Sequence, residues 1–127
     1  MSFEGFELIY SYSRRQALED GVLIDISQEA IGSGFKVPVA VSDNLFNRYI
    51  EPPAGLEGEG QSARGRLHDV LHMLRVAIAS NKNEPMLFFD VLFLMRPGHH
   101  EKVKLYAEIG PDDDGKPCMT ICLPEDR

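Results

Sequence analysis

The chain predicts an α+β fold: an antiparallel β-meander of three to four strands packed against one main amphipathic helix, with short N-terminal helices. Three observations carry this. Residues 62–80 hold a single apolar stripe at helical spacing. Residues 86–124 hold three runs rich in β-branched and aromatic residues, separated by turn residues. The first fifty residues are punctuated by serines and glycines at intervals too short for long elements.

At 127 residues, with 43% hydrophobic and 26% charged content spread evenly, the chain has the size and composition of a single globular domain, 1–127. The longest apolar run, MLFFDVLFLM (86–95), is broken by Asp90 and falls short of the roughly 18 residues of a membrane span. MSFEGFELIY lacks a basic segment followed by an apolar one, so no signal peptide is expected and the location is read as cytoplasmic, with no membrane.

In chain order, Ser13 is placed to cap a helix over RRQALED, with Gln16 as its capping-box partner and Gly21 taking the left-handed position that ends it. VLIDIS (22–27) reads as extended, and Ser27 as the cap of a brief helical turn, QEAIGSG. FKVPVAVS (35–42) puts Val37, Val39 and Val41 on one side of an extended segment, while Pro38 restricts it to a sheet edge or a non-sheet position. Ser42 caps a helix over 43–50, with Leu45, Phe46, Tyr49 and Ile50 as its apolar stripe. The proline- and glycine-rich stretch 51–61 is the expected flexible loop.

The main helix starts near Ser62. Leu67, Val70, Leu71, Leu74 and Ile78 give spacings of three and four, an apolar face about 100° wide. Strands follow at 86–96, 102–110 and 117–124. In the second of them Val103, Leu105, Ala107 and Ile109 alternate with Lys104, Tyr106 and Glu108, one face buried and one wet. PDDDGK is the turn between the last two strands, with Gly115 at positive φ.

Chemistry is sparse. HDVLH (68–72) has the i, i+4 histidine spacing of the H-E-x-x-H zinc helix, but Asp69 stands where a glutamate would reach the metal-bound water. Setting Leu67 at zero, His68 lies at about 100°, His72 at about 140° and Arg75 at about 80°, so a permanent cation sits beside any shared metal. His68 and His72 are therefore only weak metal candidates, and a surface pair is the simpler reading.

His99 and His100 read as part of a solvated loop, and Asp112, Asp113 and Asp114 as turn chemistry rather than a calcium loop. Cys118 and Cys122, four apart on one strand face, lie about 13 Å from each other, too far for a disulfide, and read as buried free thiols. No G-x-S-x-G elbow is present, and GLEGEGQSARG lacks the lysine of a phosphate loop. Tyr10, Tyr12, Arg14 and Arg15, in YSYSRRQ, could form an aromatic and basic contact surface.

A net charge of −7 disfavours nucleic acid as a direct ligand. The same charge suits a protein that docks on the basic groove of a nucleic-acid-handling partner.

SYSRRQALEDGVLIDIS, GFKVPVAVS, RLHDVLHMLRVAI and GPDDDGKPCMTICLPEDR together resemble a family of small uncharacterised bacterial, plasmid and phage proteins, a domain of unknown function. The resemblance spans roughly Ile9 to Asp126 and implies association with mobile elements but no activity. The family helix often carries tryptophan where this chain has His68 and His72, which implies no shared role for the two histidines.

The reading that results is a non-enzymatic accessory protein without cofactors, acting by binding a protein partner, for instance a nucleic-acid-processing or defence complex. Two other classes compete with it: a small metal-dependent hydrolase using His68 and His72, and a nucleic-acid-binding module using Arg14 and Arg15. Self-association into a homodimer through strand edges is a further option.

Overall fold

The computed structural model describes residues 13–127. Helix α1 (Arg14–Glu19) leads into strand β1 (Leu23–Asp25), helix α2 (Ser27–Gly32) and strand β2 (Val39–Ser42). A three-residue helix α3 (Asp43–Leu45) runs on into a π-helical turn (Phe46–Ile50). The main helix α4 (Ala63–Ser80) precedes strands β3 (Met86–Arg96), β4 (His99–Pro111) and β5 (Pro117–Cys122), and a 3-10 turn (Pro124–Asp126) follows. The fold is α+β, built on one five-stranded sheet in the order β1-β2-β5-β4-β3.

The meander over β3, β4 and β5 is antiparallel as expected, but β5 then pairs in parallel with β2, so the sheet is mixed. This corrects the purely antiparallel expectation and the assignment of 35–42 to an edge. Pro38 lies one residue before β2, where its missing N–H costs nothing and its carbonyl accepts from the Met119 amide at 2.9 Å. All four residues of β2 are buried, and the edge position falls to β1.

The local punctuation explains most boundaries. Ser13 Oγ accepts from the Gln16 amide, and Gly21 (φ +78°) closes α1 with amide bonds back to Leu18 and, from Val22, to Ala17, a Schellman ending. The Gln16 side chain does not complete a capping box; its amide donates to Asp20. Ser42 and Ser62 cap their helices through the amides of Leu45 and Gly65.

Ser27 does not cap α2, which begins at that residue. Its hydroxyl donates to Asp25 at 2.6 Å and accepts from the Val39 amide at 3.0 Å, tying β1 to β2 where their ladder ends.

The hairpin joining β3 to β4 is tighter than the sequence suggests. Arg96 pairs with His99, so the loop is Pro97-Gly98 alone, with Gly98 at φ +72°, the residue types a type II turn needs. His99 and His100 therefore stand on β4, not in a loop, and a bulge between Leu94 and Arg96 absorbs the register change. The Asp112–Lys116 turn does follow expectation: Asp112 accepts from the amides of Asp114 and Lys116, and Gly115 sits at φ +82°. Those bonds hold the Asp112 carboxyl below its usual range.

One buried cluster lies between the sheet and α4. Phe89, Val91 and Phe93 from β3, Val103, Leu105 and Ala107 from β4, and Met119 and Ile121 from β5 meet Leu67, Val70, Leu71 and Leu74. Leu45, Tyr49 and Ile50 close one side of it, the Tyr49 ring stacked on Phe93 at 5.3 Å. Ile109 departs from the expected alternation and is exposed, while Tyr106, on the face expected to be wet, is buried.

Candidate functional site

Of the four residues read as a contact surface, Tyr10 and Tyr12 lie outside the described residues. Arg14 turns inward rather than to solvent. Its guanidinium donates to Thr120 Oγ1 at 2.7 Å and to the Met119 carbonyl at 3.0 Å, both on β5. The amides of Arg14 and Arg15 donate to the two carboxylate oxygens of Asp113, so the aspartate turn holds the start of α1 on the sheet face opposite α4. The Arg15 side chain is exposed.

His68 and His72 are exposed on α4 and, with Arg75, face the turn Gly32-Ser33-Gly34 at the end of α2 across a cleft of about 320 Å³. Among the described residues no group of three or more His, Cys, Asp and Glu side chains could hold a metal ion. Cys118 and Cys122 are free and buried; burial pushes both thiols up, Cys122 to about 12, so neither is a ready thiolate nucleophile.

Arg66 escaped the sequence reading. It is buried at 3% exposure on the flank of α4, where its guanidinium lies 5.2 Å from the centre of the Phe93 ring and donates to the Leu94 carbonyl at 3.1 Å. Its Nε has no hydrogen-bond partner among the described residues, and burial pulls its pKa below the usual arginine value. The missed signal was its helical angle of about 260°, close to the apolar stripe.

The two sheet faces differ sharply. Opposite α4, helix α1 covers the β1–β5 end, and Arg127 lies over Tyr106 at 4.4 Å and over Phe88 at 5.6 Å. Along β3 this cover thins: Met86, at 51% exposure, accepts from the Tyr106 hydroxyl at 3.2 Å, Phe88, at 47%, meets the Tyr106 ring at 5.3 Å, and Leu92 stands at 61%. Lys104 and Lys102 stand beside these residues on β4, opposite Asp90 and Leu92.

β3 is also the outermost strand of the sheet. The bond from the Ile109 amide to the Pro85 carbonyl sets the phase of its ladder, so the N–H and C=O groups of Phe88, Asp90 and Leu92 point away from β4, to an edge that no other strand among the described residues pairs with. On α4, Asp69, His72 and Met73 border this edge across a largely apolar groove.

No helix among the described residues is long and apolar enough to cross a membrane. Against known proteins, residues 1–127 match the model of a family of unknown function (DUF6573). No curated protein and no solved structure matches the chain.

Proposed function

The chain belongs to that family of unknown function, and we propose that it is a non-enzymatic binding protein that takes an extended segment of a partner protein onto the open edge of β3. The carrying observation is the edge itself: an 11-residue outermost strand with Met86, Phe88 and Leu92 exposed. Edge strands of this length are ordinarily guarded by lysines, prolines or bulges. Here the middle of the strand carries one charge, Asp90, and the bulge lies at its far end, between Leu94 and Arg96.

Lys102, Lys104 and Arg127 beside the exposed apolar side chains define the partner's chemistry. It is a β-forming segment with apolar residues at alternate positions and acidic residues between or beside them. Main-chain bonds to the edge supply affinity, and the apolar and cationic side chains supply selectivity.

The test is nuclease-treated affinity capture from the host lysate with the wild-type chain and Leu92→Glu, where the new carboxylate faces Lys102 and the fold is checked by circular dichroism. A stoichiometric protein held by the wild type and lost by a folded Leu92→Glu supports the reading. Equal capture by both sinks it, as does a doubled hydrodynamic mass of the purified chain that Leu92→Glu halves, which would make a second copy the occupant. About one equivalent of zinc lost on His68→Ala would favour the metal reading instead.

A further inference from the structure

Away from the sheet, α4 carries a second feature that strand addition does not use. Arg64, Arg75, His68 and His72 lie between about 60° and 140° around the helix axis, one basic side of α4 without a carboxylate. Asp69, the sole acid of this helix, lies at about 200°, where it acts electrostatically on Arg66 and borders His72 on the groove beside β3. In a chain of net charge −7, such a concentration of donors stands out.

The structure gives this side a wall. His68, His72 and Arg75 line the cleft of about 320 Å³ together with Gly32, Ser33 and Gly34, and no acidic residue lines it. Gly34 sits at φ +94°, and a Cβ there would lie 3.7 Å from Arg75 Cζ. The turn thus brings backbone into van der Waals range of the guanidinium, and a side chain at 34 would be strained by that φ. Among the described residues, Arg75, His68 and His72 have no hydrogen-bond or ion-pair partner.

We propose that this cleft binds a small phosphate-bearing ligand, with Arg75 as the anchor and His68, His72 and the Ser33 hydroxyl as further donors. The chemistry selects an anion over a metal ion, since the guanidinium is a permanent cation with five donors and no lone pair to offer. A tetrahedral phosphate group, with acceptor oxygens in several directions, uses donors converging from a helix and a turn better than a planar carboxylate does. Each imidazole keeps one N–H donor even when neutral. The volume is at the lower end of the roughly 300–1,000 Å³ of small-molecule sites, enough for the phosphate and part of the group that carries it.

The experiment follows the histidine ring resonances of the full chain during titration with inorganic phosphate, with adenosine monophosphate and with acetate, at constant ionic strength. Saturable shifts of His68 and His72 with either phosphate compound, a weaker response to acetate, and at least a tenfold loss of affinity in Arg75→Gln but not in Arg96→Gln support the site. Tighter binding of the monophosphate identifies an ester as the ligand, and equal or tighter binding of inorganic phosphate identifies the free ion. Linear, non-saturating shifts, an equal response to acetate, or unchanged affinity in Arg75→Gln overturn it. So does saturable zinc binding at the same resonances without phosphate binding.

Discussion

The two faces of the sheet are built from the same strands by opposite rules. Under α4, side chains from four strands join one cluster with Leu67, Val70, Leu71 and Leu74, and Leu105 and Ile121 are wholly buried. On the other face, cover comes from single polar ties: Arg14 to Thr120 and Met119, and the Arg127 guanidinium over Tyr106. This cover thins at β3, where Arg127 reaches Phe88 but Leu92 stays 61% exposed. The first face carries the stability, because apolar burial scales with area and a close-packed interior resists change. The second leaves Leu92 and nearly half of the Phe88 surface free to meet something else.

The strongest test of this asymmetry is truncation of the sealed face. Leu105→Ala, at a position with no exposure, is expected to cost about 2–5 kcal/mol in urea unfolding, the range for a buried leucine that leaves a cavity. A cost below about 1 kcal/mol would mean that the face under α4 is not the well-packed core.

The polar ties should give the next largest effect. Arg14→Ala removes two hydrogen bonds made by a charged group to β5 and should cost about 1–3 kcal/mol. Arg15→Ala, losing only an exposed side chain, should stay within about 0.5 kcal/mol. Equal small costs for both would return Arg14 to the role of a surface contact.

Cys122 adds a tie visible only in alkali. Its thiol, held neutral by burial, is pushed up to about 12, whereas an unfolded thiol ionises near 8.5. A raised folded pKa means that the contribution is fully present below about pH 8.5 and is lost as pH rises towards 12. The stability of the wild type should therefore fall more steeply above pH 8.5 than that of Cys122→Ala. Parallel curves would mean that the thiol is hydrated in the folded state.

What the sequence made legible follows the same division. α4 and the β3–β5 meander are legible because one face of each is buried, which imposes periods of 3.6 and 2 on the residues. The place of β2 is not, because pairing with β5 across more than seventy residues leaves no local trace, and Pro38 pointed to an edge. His99 and His100 were misplaced because a two-residue Pro-Gly turn needs no further loop residues. Tyr106 is buried from the far face by Arg127, a contact no local pattern encodes. Of the phosphate cleft, HDVLH was legible on the helix, but the Gly32–Gly34 turn that closes it comes from α2, more than thirty residues upstream.

The smallest expected effect on stability belongs to the most exposed large apolar residue of β3. Leu92→Ala should change unfolding free energy by no more than about 0.5 kcal/mol, because at 61% exposure most of its surface is already in water. Its neighbours bear this out: Leu92 pairs with Lys102 and lies outside the cluster that Phe89, Val91 and Phe93 join. A cost of 1 kcal/mol or more in urea unfolding, well beyond that limit, would mean that Leu92 is covered in solution by another part of the chain or by a second copy. Repeating the measurement across a hundredfold range of protein concentration separates the two, since only the second makes the cost concentration-dependent. A negligible cost leaves Leu92 an exposed apolar residue on an outer strand that the isolated chain does not use, the condition strand addition by a partner requires.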